Sequence, residues 1–116
     1  MKIEQTTVIR VIKPDDVTWS EAARGLEESE PPGSEFTAFE TGSFSTGLWQ
    51  RDEQRRPFDR PYHEIAFIIE GEVEVTREDG QVIKAGPGDI LITPKGSKGH
   101  WRNLSPVKKF WAIFDE

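Results

Sequence analysis

Residues 88–103 read GDILITPKGSKGHWRN, and this stretch decides the fold class. A strand predicted over residues 89–93 is followed by Pro94-Lys95-Gly96, in which proline and glycine are typical of a turn. Another short strand is predicted from Trp101 to Asn103. Short strands joined by tight turns favour an all-β protein.

The same alternation of strands and turn signals continues through most of the chain. Asp79-Gly80 predicts a hairpin, because the turn needs positive backbone φ angles that glycine tolerates. Many short strands with little helix are typical of an antiparallel sandwich or barrel. The predicted strands are 36–40, 44–52, 64–69, 72–77, 81–84, 89–93, 101–103 and 108–114.

The first 35 residues are predicted to form an arm that packs on a barrel made by residues 36–116, within a single domain of 116 residues. An opening strand is predicted over residues 6–12, which are rich in β-branched side chains. A short helix is predicted over residues 20–28, capped by Ser20 or Thr18. Residues 27–35 contain Pro31-Pro32-Gly33 and are predicted to be a linker.

The strand predicted over residues 64–69 is apolar on both faces. Glu64, Ala66 and Ile68 share one face, and Ile65, Phe67 and Ile69 share the other. A strand of this kind is usually covered on both sides, so we expect a partner subunit or the N-terminal arm against the outside of the barrel. We therefore predict a homodimer.

Composition narrows the compartment and the partners. The chain has no cysteine and no apolar run of signal-peptide or membrane-spanning length, which favours a cytoplasmic protein. A net charge of -6 argues against nucleic acid as a partner. A basic cluster is interleaved with acidic residues and favours a solvated loop, with an anionic small molecule as the alternative; it comprises Arg51, Arg55, Arg56 and Arg60.

The segment that ends at Glu64, with Gly71 seven residues later, and the stretch 88–103 together resemble the two-part motif of the cupin superfamily. That motif reads G-x5-H-x-H-x(3,4)-E-x6-G and then G-x5-P-x-G-x2-H-x3-N. Glu64 matches its glutamate, and Pro94, Gly96 and Asn103 match the second part. The resemblance implies a jelly-roll barrel in which histidines and a glutamate hold a divalent transition metal.

The metal-ligand positions of this motif do not hold histidine in the present sequence. The two histidine positions hold Phe58 and Arg60 in one register, or Pro57 and Asp59 in the other, and the third position holds Gly99. The two histidines of the chain, His63 and His100, each lie one residue beside a motif position, an offset that turns a strand side chain to the opposite face. We therefore predict a barrel with no metal cofactor. A site of Glu64, Asp59 and a displaced His100 is the less favoured alternative.

Glu64 is the best candidate for a functional carboxylate. Inside a barrel it needs hydrogen bonds or a cation, or its pKa rises and equips it as a general acid or base. Arg60 or Lys98 is a possible structural partner. Lys108 and Lys109 are predicted to be solvated, with the alternative that one of them reaches back to a carboxylate. The predicted ligand-binding residues are Trp49, Arg60, Tyr62, Glu64, Lys98, His100 and Trp101.

The order of these motifs is similar to that of small single-domain cupins grouped with ureidoglycine aminohydrolase and the ethanolamine-utilisation cupins. In that branch the second motif reads P-x-G-x-x-G-x-W, as Pro94 to Trp101 does here. The resemblance implies a dimeric barrel, often without metal ligands and without an assigned reaction. We favour a protein that binds a polar or planar small metabolite. The alternatives are a small enzyme that acts on a carbohydrate or nitrogen-containing metabolite through Glu64, and an accessory or regulatory subunit.

Overall fold

Ten β-strands in two antiparallel sheets make up nearly all the regular structure in the computed structural model, which describes residues 7–22, 33–52 and 54–116. The strands are β1 (Ser20–Glu21), β2 (Ser34–Thr41), β3 (Phe44–Arg51), β4 (Arg55–Asp59), β5 (His63–Glu70), β6 (Val73–Arg77), β7 (Val82–Ala85), β8 (Ile90–Thr93), β9 (Lys98–Asn103) and β10 (Val107–Phe114). No helix within the described ranges is long and apolar enough to cross a membrane.

The two sheets pack face to face as a jelly-roll barrel. The first sheet has the strand order β1-β2-β3-β10-β5-β8, and the second has the order β4-β9-β6-β7. Buried side chains from both sheets, including Ile68 and Leu91 from the first and Val73, Val75 and Trp101 from the second, form one apolar core. The predicted all-β, antiparallel fold class is confirmed.

Most predicted strands match observed strands to within a few residues. The hairpin at Asp79-Gly80 joins β6 to β7, and Gly80 has the positive φ angle of 86° that the turn requires. Strand β5 alternates as predicted, because Glu64 and Ala66 are buried while Ile65 and Phe67 are 49% and 42% exposed. Within this chain the outer face of β5 therefore remains open.

The prediction of an opening strand over residues 6–12 is wrong for the part that the structure describes. Residues 7–13 belong to no sheet, and Ile9 is 97% exposed. The arm contacts β2 through the Arg10 side chain, which donates a hydrogen bond to the carbonyl of Ala38. Because β propensity alone supplies no backbone partner, these β-branched residues do not make a strand. A 3₁₀ helix, Pro14–Asp16, follows.

The predicted helix at residues 20–28 is also wrong at its start. Ser20 and Glu21 pair with Glu35 and Ser34 of β2, so backbone pairing with a neighbouring strand replaces the local helical pattern. The remainder of that prediction from residue 23, and residues 27–32 of the predicted linker, lie outside the described residues.

Gly99 marks a close approach between β9 and β6. A Cβ atom at this position would collide with the backbone carbonyl oxygen of Thr76 and lie 3.4 Å from the Phe58 ring. Gly99 also occupies the position of the third motif histidine, so this backbone has no room for a side chain where the metal-binding motif needs one.

Substituting Gly99 with alanine is expected to lower the free energy of unfolding by about 1–3 kcal/mol, since the added methyl group overpacks the contact between the two strands. Urea denaturation measures the change. Gly86→Ala is the matched control, because its Cβ would meet only the Glu72 side chain at 3.8 Å. Equal stability of the two variants would contradict this account of Gly99.

Candidate functional site

A cavity of about 350 Å³ lies inside the barrel, between the two sheets. It is lined by charged, polar and aromatic side chains from both sheets, and Tyr62 contributes from the segment between β4 and β5. The lining residues are Ala22, Glu35, Thr37, Trp49, Gln54, Arg56, Phe58, Arg60, Tyr62, Glu64, Trp101, Lys109, Trp111 and Ile113.

An ion pair between Glu64 and Lys109 forms the inner wall of this cavity. The Lys109 Nζ donates a hydrogen bond of 2.8 Å to Glu64 Oε2, and both side chains are less than one-tenth exposed. The strands β5 and β10 are neighbours, with Ile113 opposite Glu64 and Ile68 opposite Lys109, so the lysine reaches along β10 to the carboxylate. A buried charge needs such a partner, since an unpaired one is strongly destabilising.

Two tryptophan rings complete the surroundings of the lysine. The Nζ atom of Lys109 lies 4.8 Å from the centroid of Trp49 and 4.7 Å from that of Trp101, within cation–π distance of both. Trp101 is itself fixed, because its indole N–H donates a 2.8 Å hydrogen bond to the buried side chain of Asn103. Asn103 in turn donates a hydrogen bond to the carbonyl of Asp52.

Burial and the charge of the partner shift the pKa of Glu64 in opposite directions, and the same is true of the pKa of Lys109. Burial raises the pKa of Glu64, but the charges of Lys109 and Arg60 and the hydrogen bond from Lys109 outweigh it and hold that pKa below its usual range. Burial lowers the pKa of Lys109, and the attraction of Glu64 offsets this only in part. The lowered pKa keeps Glu64 a carboxylate at neutral pH, and this carboxylate accepts a hydrogen bond from the Lys109 Nζ.

The guanidinium of Arg60 lies beside this pair and is positioned mainly by neutral groups. Its Nε donates a hydrogen bond of 3.0 Å to Thr93 Oγ1. Its Cζ is 5.1 Å from the ring centroid of Phe58 and 5.8 Å from that of Trp101. The nearest carboxylate oxygen, on Glu64, is 3.9 Å away and outside hydrogen-bond distance. Its two terminal nitrogens therefore have no hydrogen-bond partner among the described residues.

Arg56 and Tyr62 add further polar groups to the cavity. Arg56 lines it from β4 and forms no ion pair with any residue in the described ranges. Tyr62 is half-buried, and burial together with the nearby charge of Glu64 raises the pKa of its phenol, which stays protonated at neutral pH. The site thus combines an internally neutralised pair, two arginines and a phenolic hydroxyl.

Five of the seven predicted ligand-binding residues meet in this cavity: Trp49, Arg60, Tyr62, Glu64 and Trp101. The other two, Lys98 and His100, are exposed on β9 and do not line it. In a strand alternate side chains point to opposite faces, and Trp101 takes the inner face of β9. His63 is also exposed, and its Nδ1 accepts a hydrogen bond from the backbone N–H of Lys95.

The alternative metal set of Glu64, Asp59 and His100 is not assembled. Asp59 and His100 are exposed, whereas Glu64 points into the barrel. Across the described parts of the chain, no three histidine or acidic side chains lie together in an arrangement that could hold a metal ion.

Three charged groups of the cavity were not among the predicted ligand-binding residues: Glu35, Arg56 and Lys109. Lys109 was predicted to be solvated, with contact to a carboxylate as the alternative, and the structure bears out the alternative. Strand alternation places Lys109 on the inward face of β10 with Val107 and Trp111, where it contacts Glu64. The predicted solvated loop around Arg56 is instead the strand β4, which pairs with β9. Arg56 and Phe58 are two residues apart and therefore share one face of a strand, and this spacing was the available signal that Arg56 points inward with Phe58.

A jelly-roll barrel with the motif glutamate Glu64 inside, and with the motif glycines Gly71 and Gly96 in positive-φ turns, is typical of a cupin. Residues 39–111 match the family model of the EutQ-like cupin domain, and the chain belongs to this family. It is 35% identical over 93 residues to the Escherichia coli protein named acetate kinase EutQ, an alignment that covers 77% of this chain and 40% of that protein. The chain thus spans less than half the length of that curated relative.

Solved structures share the fold. The Clostridium difficile EutQ protein superimposes with a TM-score of 0.76 at 20% identity, covering 90% of this chain and 86% of that one. An ethanolamine utilisation protein Q from Salmonella typhimurium superimposes with a TM-score of 0.73 at 24% identity, covering 92% and 86% of the two chains. These matches show that the barrel fold is shared.

Removal of the lysine from the buried pair is expected to destabilise the protein strongly. Lys109→Met leaves the Glu64 carboxylate buried without its ammonium partner and should cost about 3–5 kcal/mol in free energy of unfolding. The double variant Glu64→Gln/Lys109→Met should recover most of this loss. Lys108→Met is the matched control, since Lys108 is partly exposed and 3.8 Å from an exposed Glu70 carboxylate, so about 1 kcal/mol at most is expected.

The stability of the protein should fall in acid because of Glu64. Its folded-state pKa lies below the unfolded value, so its stabilising contribution is present above the unfolded pKa and is lost as the pH falls through the folded pKa. The stability difference between the natural protein and Glu64→Gln should therefore narrow below about pH 4, as measured by urea denaturation across a pH series. A difference that stays constant into strong acid would contradict a lowered pKa.

Proposed function

We propose that this chain is a cupin that binds a small anionic metabolite, of the carboxylate class, inside its barrel without a histidine-bound metal. One observation carries the proposal: Arg56 and Arg60 both line the cavity, and neither has a carboxylate within hydrogen-bond distance among the described residues. A planar guanidinium with free donors is suited to bidentate recognition of a carboxylate.

The way in which Arg60 is held supports this proposal. Aromatic rings and a threonine hydroxyl position its guanidinium without cancelling its charge. The negative charge of Glu64 is largely used by Lys109, which lies 1.1 Å closer to Glu64 Oε2 than Arg60 does, at 2.8 Å against 3.9 Å. Glu35 is the other acidic side chain among the described residues that line the cavity.

The remaining walls and the size of the cavity favour a small organic acid. A volume of about 350 Å³ is near the lower end of the range for metabolite pockets. Trp111, Trp49 and Tyr62 provide aromatic surface for the carbon skeleton of the ligand. Three basic and two acidic side chains line the cavity, so its local charge favours an anion although the whole chain carries a net charge of -6.

The name of the curated relatives points to the same ligand class. They are called acetate kinase, and acetate is itself a small carboxylate. Because this chain spans only part of those proteins, the proposal extends to the ligand class and not to phosphoryl transfer. A general-acid role for Glu64 is disfavoured, because its lowered pKa keeps the carboxylate ionised at neutral pH.

Calorimetry with matched pairs of probes tests the proposal. Acetate and benzoate should bind, while acetamide and benzamide, which have the same shape without the charge, should not. Arg60→Gln and Arg56→Gln should each weaken carboxylate binding about tenfold or more, since a hydrogen bond to a charged group contributes roughly 1.5–3 kcal/mol.

Arg102→Gln is the matched control, because Arg102 is exposed on the outward side of β9 and does not line the cavity. Its affinity should equal that of the natural protein. Equal binding of acids and amides, or an equal effect of all three arginine substitutions, would contradict recognition of the carboxylate by Arg56 and Arg60.

A further inference from the structure

The amine of Lys109 is a nucleophilic group on the cavity wall that the recognition of an anion by arginine does not use. Its Nζ donates a hydrogen bond of 2.8 Å to Glu64 Oε2 and lies 4.8 and 4.7 Å from the ring centroids of Trp49 and Trp101. Among the described residues this nitrogen has no second hydrogen-bond acceptor. Because Lys109 lines the cavity, a molecule bound there lies against this side chain.

The surroundings of Lys109 favour the neutral amine more than water does. Burial lowers the pKa of this lysine, Glu64 offsets the effect only in part, and the positive charges of Arg60 and Arg56 lower that pKa further. A lysine that is desolvated, or that lies beside other cations, is the type that forms Schiff bases with carbonyl compounds, because only the neutral amine attacks.

Glu64 provides the base that such a lysine needs. Its carboxylate already accepts a hydrogen bond from the Lys109 Nζ, and its lowered pKa keeps it ionised at neutral pH. A base must lie within hydrogen-bond distance of the proton that it removes, and Glu64 meets this condition without any movement of the backbone.

The guanidinium of Arg60 lies close enough to Lys109 for one small ligand to contact both. Arg60 Nη2 and Lys109 Nζ are 3.9 and 2.8 Å from the same oxygen, Glu64 Oε2. A 2-oxo acid carries its carboxylate and its carbonyl carbon on adjacent atoms. Its carboxylate can therefore accept hydrogen bonds from the arginine while its carbonyl carbon meets the lysine amine.

We propose that Lys109 forms a Schiff base with a 2-oxo acid whose carboxylate is held by Arg56 and Arg60. This inference rests on the proposed function for the position of the carboxylate and adds a covalent step to it. The ligand class is thereby narrowed from carboxylates in general to those with an adjacent carbonyl group.

The step balances in atoms and in charge. Glu64 accepts a proton from the Lys109 Nζ, and the neutral amine attacks the carbonyl carbon to form a C–N bond. A second amine proton moves to the carbonyl oxygen, which then leaves as water with the proton that Glu64 returns. The product is a protonated imine, so a positive charge remains beside the buried Glu64 carboxylate, which needs one. Neither an oxidant nor a reductant takes part.

Reductive trapping with pyruvate and sodium cyanoborohydride tests the proposal. Reduction of the imine leaves one carboxyethyl group on the lysine, and mass spectrometry of the intact chain and its peptides locates it. Lys109 should be modified about tenfold faster than the partly exposed Lys108, because arginine contacts to the carboxylate favour binding beside Lys109 by about that factor. Pyruvamide, which has the same shape without the charge, should lose this preference.

Lys109→Arg is the informative variant, because it keeps a positive charge beside Glu64 and cannot form an imine. It should lose the fast modification that the natural chain shows. If it fails to fold, which circular dichroism reports, Glu64→Gln/Lys109→Met takes its place. Lys108→Arg is the matched control and should leave the modification of Lys109 unchanged.

Lactate, the alcohol that corresponds to pyruvate, separates this inference from the proposed function. If the natural chain binds lactate but Lys109 is not modified by pyruvate, or is modified no faster than Lys108, the Schiff base is overturned and carboxylate binding stands. Equally fast modification of Lys109 by pyruvate and pyruvamide would overturn the recognition of a 2-oxo acid. Absence of both lactate binding and modification would contradict the inference and the proposed function together.

Discussion

The buried ion pair between Glu64 and Lys109 is the constraint on which the interior of this barrel depends. A carboxylate inside a protein needs a cation or several hydrogen bonds, and here the cation is an ammonium group on the neighbouring strand β10. In the metal-binding motif that the sequence resembles, the corresponding glutamate faces a metal ion. The lysine therefore supplies from the chain itself the positive charge that Glu64 requires.

This arrangement determines what else the cavity can do. Because Lys109 lies within about 5 Å of the rings of both Trp49 and Trp101, it fixes the inner wall as a set of mutually contacting groups. Glu64, being engaged there, does not hold Arg60 by a hydrogen bond. Arg56 and Arg60, which line the same cavity, thus retain the hydrogen-bonding capacity that binding of an anion uses.

Much of the fold could be predicted from the sequence, because periodicity and turn chemistry act locally. The alternation in β5 placed Glu64 inside correctly, and Asp79-Gly80 marked a hairpin correctly. The failures occur where a contact between distant residues decides. The arm at residues 7–12 has strand composition but no backbone partner, and β10 is apolar on both faces, so its pattern does not reveal that Lys109 points inward.

The residues that line the site could be predicted where they follow from the alternation of side chains along a strand. Trp101 lines the cavity while His100, one residue away, does not, and the same parity excludes Lys98. Arg56 was hidden by the acidic residues around it in sequence, of which Asp59 takes the face of β4 opposite to Arg56 once β4 pairs with β9.

Strands β5 and β10 present different chemistry on their two faces. Their inward side chains include Glu64 and Lys109, while Ile65 and Phe110, each next in sequence to one of these, lie on the outside of the sheet. The geometry of the ion pair depends on the backbone of both strands, because the two strands are paired with one another and each carries one of the charged groups. A substitution that disturbs this pairing from the outside is therefore expected to act on the inner wall of the cavity without contacting a ligand.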